Sequence, residues 1–263
     1  MKKCVYTALT GGYDNLMQPQ CVAADYDYIC FSNDIPEDKV GVWQIRPIPF
    51  KHRDNTRVSR YPKFHPHVLL KEYDYCIYID ANNLILDDFI YIRADELYSQ
   101  HEIVGHVIHP YRNCVYKEIF DCMYYGSDRT WQLIKSLRLH IHENFPRNAG
   151  LFENNLIFWA IHRTEVAHVL DLFWNIYLSN SRRDQLSLRL AYFKENIQPA
   201  LFLPKGEHMG NSDHIRRIEH VKKDSRYSTN RHRMIINKLK IRLVRAWFLL
   251  QGHDFTYKKL YSD

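Results

Sequence analysis

The chain is poor in the residues that mark the simpler protein classes. Nine glycines and ten prolines in 263 residues, with no internal repeat, exclude a collagen-like fibre and a low-complexity chain. The six cysteines, at 4, 21, 30, 76, 114 and 122, form no Cys-x-x-Cys pair and sit mostly among apolar neighbours such as Tyr75-Cys76-Ile77. They read as buried, reduced thiols of a cytosolic protein and not as a disulfide framework. No run approaches the roughly 18 apolar residues of a membrane-spanning helix. The apolar stretch after Lys2-Lys3 stops at Thr10-Gly11-Gly12 with no small-residue cleavage site, so it reads as a first strand and not a secretory signal. His-Glu-x-x-His and other dense His/Asp clusters are also missing.

What the chain does contain is an ordinary globular mixture, 46% hydrophobic and 25% charged, long enough to bury a sizeable core. Its formal charge of +6 is unevenly spread. Residues 214–263 hold 13 basic side chains against 4 acidic ones, which leaves 23 against 26 in residues 1–213. The body is thus −3 and the tail +9. That division suggests a globular domain over 1–213 and a basic linker with an amphipathic helix over 214–263.

Short runs rich in β-branched and aromatic residues (4–9, 26–31, 75–79, 103–108, 156–161) alternate with helix-like segments near 55–70, 115–140, 164–178 and 184–195. The alternation predicts an α/β fold with a largely parallel sheet. Such sheets bind ligands at the carboxyl ends of their strands. The places to inspect are therefore residues 10–14, 32–34, 80–83, 109–112 and 162–164. Residues 204–230, polar and with two glycines, look like a mobile active-site loop running into a linker.

The most informative stretch is Tyr73 to Asn83, where an apolar strand ends in Asp80, a small residue, then Asn82 and Asn83. A carboxylate followed two positions later by another oxygen ligand suits Mg²⁺ or Mn²⁺ bridging a diphosphate. The plainer alternative is a loop capped by Asp80 with the amides in a turn. Upstream, Arg53, Arg57 and Arg60 share one helical face beside Lys51 and Lys63, a stripe suited to gripping a diphosphate or to facing solvent. Downstream, Asp184 falls in the first turn of a helix, where its charge suits the dipole.

Seven motifs occur in order: Gly-Gly-Tyr-Asp (11–14), Cys-Phe-Ser-Asn (30–33), Arg-Val-Ser-Arg-Tyr-Pro-Lys (57–63), Tyr-Ile-Asp-Ala-Asn (78–82), His-Pro-Tyr-Arg-Asn-Cys-Val-Tyr-Lys-Glu (109–118), Gly-Leu-Phe-Glu-Asn-Asn (150–155) and Arg-Asp-Gln-Leu-Ser (183–187). Together they resemble the glycosyltransferase-like family first described in plant turgor-regulation and seed-mucilage proteins, which also has bacterial members. The likeness spans residues 4–200. It implies a GT-A type, Rossmann-like fold, with a mixed and mostly parallel sheet flanked by helices, and a UDP-sugar donor. By that resemblance Gly11, Gly12, Tyr13, Ser32, Asn33 and Asp34 border the nucleoside, Arg57 and Lys63 reach the diphosphate, and Asp80 binds ribose or metal. His109, Arg112, Glu118, Glu153 and Asn155 line the sugar and acceptor side. Asp184, flanked by Arg183 and Gln185, stands where related folds carry a catalytic or sugar-orienting carboxylate, and Glu153 is the other candidate base. Asn82 occupies the last position of the Asp-x-Asp motif, and a neutral amide there weakens a Mn²⁺ or Mg²⁺ site. His208 resembles the late histidine that completes the metal site of glycogenin-like galactosyltransferases. The arginines and lysine are the alternative carriers of leaving-group charge.

Residues 231–250 place Ile236, Leu239, Leu243, Trp247 and Leu250 on one helical face and Lys238, Arg242 and Arg245 on another. That pattern suits peripheral contact with an anionic membrane, while Ile241, Val244 and Phe248 would pack on the body or a partner. The acidic body and the lack of a nucleic-acid motif argue against nucleic acid. The function expected is transfer of a sugar from a UDP-sugar to a saccharide or lipid-linked saccharide, as in O-antigen or capsule synthesis, at the inner face of the cytoplasmic membrane. The competing expectations are a metal-assisted lipid amide or phosphodiester hydrolase and a non-catalytic nucleotide or glycan-binding module.

Overall fold

Strands β1 (Lys3–Ala8) and β5 (Tyr75–Ile79) are buried at every residue and lie side by side near the middle of an eight-stranded sheet. Continuous apolar strands of this kind need cover on both faces. The structure is a computed structural model and describes residues 1–222 and 231–256. Residues 223–230 and 257–263, on which part of the expected linker and the chain end fall, lie outside the described residues.

The remaining sheet strands are β2 (Asp27–Phe31), β3 (Lys39–Val40), β4 (Trp43–Arg46), β7 (Val104–Ile108), β8 (Phe152–Trp159) and β9 (Ala200–Leu201), in the order β3-β4-β2-β1-β5-β8-β7-β9. Pairings β4–β2, β2–β1, β1–β5 and β7–β9 are parallel, whereas β8 runs antiparallel to both β5 and β7, and β3 to β4. A short ribbon of β6 (Asn83–Ile85) and β10 (Ile215–Arg217) stands apart. The helices are α1 (Asn55–Lys63), α2 (Pro66–Leu69), α3 (Phe89–Ser99), α4 (Val115–Tyr125), α5 (Thr130–His142), α6 (Thr164–Ser179), α7 (Asp184–Lys194) and α8 (Arg231–Leu250).

The period of two along β5 divides the core. Cys76 and Tyr78 join Val58, Phe64, Phe173, Tyr177 and Leu188 of α1, α6 and α7 on one face, while Tyr75, Ile77 and Ile79 join Ile90, Ala94 and Leu97 of α3 on the other. A third cluster gathers α4, α5 and α8. All six cysteines are free thiols, five of them buried.

The architecture is the mostly parallel α/β sheet that the strand and helix alternation predicts, with three local differences. The expected helix 55–70 is interrupted because Pro66 cannot continue it and disfavours helical backbone at His65, so α1 ends at Lys63 and α2 restarts. The segment 115–140 divides at Gly126, whose φ of 70° ends α4 in the left-handed region that glycine tolerates. Because β8 is antiparallel, its start, and not residues 162–164 at its end, reaches the carboxyl edge of β1, β2 and β5. Residues 214–222 are also no free linker. They pair as β10 with β6, and then Ile218 bonds Asn82, His220 bonds Asp14, and Lys222 donates to the Gly11 carbonyl.

Candidate active site at the carboxyl edge of the sheet

At the end of β5, Asp80 Oδ1 accepts from the Tyr78 hydroxyl at 2.7 Å and from Lys63 Nζ at 3.1 Å. Lys63 is only 1% exposed and lies 3.5 Å from Asp184 Oδ2, while Arg60 Nε lies 2.9 Å from that same oxygen. Two acids and two bases thus form one cluster, brought together from α1, β5 and the first turn of α7. Lys63 is also 4.5 Å from the centre of the Tyr78 ring. Burial and the neighbouring Arg60 push the Lys63 ammonium below its ordinary value, against the pull of Asp80 and Asp184. Burial opposes ionisation of Asp80 and Asp184 too, yet the cations outweigh it and hold both carboxyls below the usual range. Asp184 is therefore a fixed anion that retains Arg60 and Lys63, and its low proton affinity makes it a poor general base.

Glu153 differs. Its Oε2 accepts the Met209 N–H at 2.9 Å, it has no salt bridge among the described residues, and burial raises its carboxyl above the ordinary value against the Met209 bond and the nearby charges of His208 and Arg217. The pairing of β7 with β8 slips between His106 and Val107, so Asn154, Asn155 and Leu156 drop out of the ladder with β7. Such irregularities re-aim side chains near sites. Here the Asn155 carbonyl accepts the Asp80 N–H at 3.0 Å, and the amide atoms Asn155 Oδ1, Asn83 Oδ1 and Asn154 Nδ2 are buried with no hydrogen-bond partner among the described residues. Buried amides left unsatisfied at the mouth of a sheet are groups that a polyhydroxylated ligand would satisfy.

The expected nucleoside residues converge. Asp34 accepts from the Gly11 N–H, the Ser32 hydroxyl accepts from the Asp34 N–H, and Asn33 exchanges bonds with Ile48. Gly11 has φ +71°, a left-handed backbone that strains any side-chain-bearing residue, and a Cβ there would also have to displace the Asn55 side-chain amide. Gly12 is at φ +55°, and the Tyr13 ring lies 4.7 Å from that of His220, under the strap 214–222.

On the far side, Arg112 pairs with Glu118 at 2.6 Å and Asp121 at 2.7 Å, and Arg183 bridges Glu118 and Gln185. Gln185 donates to the Phe152 carbonyl at 3.1 Å, which ties α7 to β8. His109 Nδ1 accepts the Tyr111 and Arg112 N–H groups, and burial lowers its ring below the usual histidine value.

Two expectations need correction. Arg57 does not present its guanidinium to a diphosphate: buried to 7% exposure, it donates to the carbonyls of Tyr177 at 2.7 Å and Asn180 at 3.0 Å and ties α1 to the end of α6. The expected metal ligands Asp80, Asn82 and His208 do not fit a firmly held divalent cation. One Asp80 oxygen is neutralised by Lys63, Asn82 is a neutral amide anchored through Nδ2 to the Ile218 carbonyl at 2.8 Å, and His208 Nδ1 accepts the Gly210 N–H at 3.0 Å. Among the described residues no three His, Cys, Asp or Glu side chains gather as a metal-ligating group.

The sequence placed Arg60 on a stripe without its partner, named Asn83 and Asn154 only inside motifs without a role, and gave no sign of the strap residues His220 and Lys222. Only Asn83, beside Asp80, carried a local signal.

No family model matches the chain, and no curated protein matches its sequence. Solved structures do match. The apo structure of the bifunctional glycosyltransferase WbbM matches at TM-score 0.42 and 11% identity, over 78% of this chain and 38% of that one. Apo mouse xyloside xylosyltransferase 1 matches at TM-score 0.43 and 9% identity, over 76% and 83% respectively. Both are glycosyltransferases, and the chain spans 38% of the length of the first.

Proposed function

We propose that the chain is a glycosyltransferase that moves a sugar from a UDP-sugar to a saccharide acceptor, with a lipid-linked surface polysaccharide such as O-antigen or capsule as the acceptor class. The observation that carries the reading is the Asp80–Lys63–Asp184–Arg60 cluster at the carboxyl edge of the sheet, in which Lys63 and Asp184 are buried while Asp80 and Arg60 stay partly exposed. The resemblance of the seven ordered motifs to the plant turgor and mucilage family supports it, because the motifs meet at this edge. In this reading the loops 11–14 and 32–34 hold the nucleoside and Asp80 faces the ribose. Lys63 and Arg60, preorganised by the two aspartates, stabilise the negative charge that develops on the leaving diphosphate. Asn83, Asn154 and Asn155 orient the sugar, and Glu153, whose proton affinity burial raises above that of an ordinary glutamate, takes the acceptor hydroxyl proton. Asp184 acts as a positioning residue through Arg60 and Lys63.

A panel of nucleotide sugars tests this by thermal shift and by slow donor hydrolysis. A cognate donor well above its Kd is expected to stabilise the fold by roughly 2–3 kcal/mol, since a ligand of the native state adds RT ln(1+[L]/Kd). No response to any nucleotide sugar would overturn the reading.

A further inference from the structure

Helix α8 buries one face and leaves another bare. Ile241, Val244 and Phe248 pack into the cluster that holds Phe120 of α4 and Phe255. At about 100° per residue, Ile236, Leu239, Leu243, Trp247 and Leu250 fall on the other side of the helix. They are 51, 53, 72, 37 and 87% exposed, and Ile235 and Leu249 beside them are half exposed. The helix is docked without this stripe. Single exposed leucines are ordinary, but a continuous apolar row along one helix marks an interaction surface.

Charge identifies what the surface fits. Arg233 and Lys240 border the stripe on one side, and Arg231, Lys238 and Arg242 on the other, all of them exposed, and residues 231–250 contain no acid. On α5, exposed Arg138 lies over the Trp247 ring at 4.5 Å. The surface continues into a cleft of about 730 Å³ between α5 and the first half of α8, bordered by Met123, Trp131, Ile134 and Ile236. Trp131 is 55% exposed. An apolar row hemmed by cations on both sides matches an anionic bilayer, whose headgroups take the cations while its acyl boundary takes the apolar side chains. A second copy of the same helix would instead set like charges against each other.

We propose that α8, with Trp131 at its flank, docks the protein on an anionic lipid bilayer. The helix on which α8 rests, α4, carries Glu118, the partner of Arg183 next to Asp184, so a bilayer under α8 lies one helix away from the candidate site. The proposal goes beyond the transferase reading and does not depend on it.

The test is flotation of the full chain with phosphatidylcholine vesicles, with and without phosphatidylglycerol. The wild type is expected to float only with the anionic vesicles and to be released by salt. Leu239→Glu/Leu243→Glu and Lys240→Gln/Arg242→Gln are each expected to weaken binding about tenfold or more. Their melting temperatures should be unchanged, because the altered side chains are exposed. The second variant keeps the test valid if the first fails to fold. Absence of wild-type binding, or undiminished binding by either folded variant, would overturn the proposal. So would a concentration-dependent dimer that Leu239→Glu/Leu243→Glu abolishes without any vesicle binding. Binding is read without turnover, so failure here is separate from failure of the transferase reading.

Discussion

Asp184 and Glu153 are both carboxylates near the same edge, and their surroundings divide their roles. Arg60 at 2.9 Å and Lys63 at 3.5 Å fix the charge of Asp184, whereas Glu153 accepts one backbone N–H, forms no salt bridge among the described residues, and feels His208 and Arg217 only at longer range. Burial raises the Glu153 carboxyl, so the base form is lost as pH falls through a value above that of an ordinary glutamate, about 4.3. The acidic limb of kcat/KM is therefore expected above that value. In Glu153→Gln turnover should fall by about 10²- to 10⁴-fold and the limb should disappear. A variant that keeps its activity and its acidic limb would remove Glu153 from the chemistry. Neither difference is visible in the motifs, because proton affinity depends on partners from α1 and from the 204–213 loop that are distant in sequence.

Among the elements, α8 has the most distinct task, because two of its faces are apolar. Phe248 is 1% exposed and meets Phe255, with ring centroids 5.8 Å apart. Phe248→Ala is expected to cost about 3 kcal/mol, the cost of losing a buried aromatic ring. The check is a lower urea midpoint at unchanged m-value, and an unchanged midpoint would mean that α8 contributes nothing to the fold. The periodicity of 231–250 revealed both faces, but only the docking of Ile241, Val244 and Phe248 decided which one remained bare. The strap 214–222 was harder to read. Its Arg, His and Lys residues look like a solvated linker, and they became structure only because β6 offers a free edge to Ile215–Arg217.

For the molecule as a whole, the proposed transfer raises the question of where positive charge for the leaving diphosphate would come from. The donor set around Asp80 favours the protein's own cations, because Lys63 already holds one carboxylate oxygen at 3.1 Å and Asn82 is anchored elsewhere. Turnover is therefore expected to survive exhaustive chelation with EDTA. Loss of activity that Mn²⁺ alone restores would return Asp80 to a metal-ligand role. The −3 body and +9 tail of the sequence take on a spatial meaning at this scale, since the exposed cations Arg231, Arg233, Lys238, Lys240 and Arg242 border the apolar stripe of α8, whereas Arg60 and Lys63 of α1 pair with the aspartates of the candidate site.

Much of the architecture follows from local pattern. Buried apolar runs such as Tyr75–Ile79, separated by amphipathic segments, admit little besides a covered and mostly parallel sheet, because such strands must be shielded on both faces. Asp80 at the end of a strand was legible for the same reason. Strand direction was not: β8 reads like its neighbours in composition, and only its antiparallel pairing brings Glu153 and Asn155 to the site. Partnership was not legible either. Arg57 and Arg60 are three residues apart on one helix, yet one ties down main-chain carbonyls and the other pairs with Asp184. Residue types and spacing record what a segment can do locally. Which charge meets which is settled by contacts across more than a hundred residues, and those form only when the sheet and helices pack.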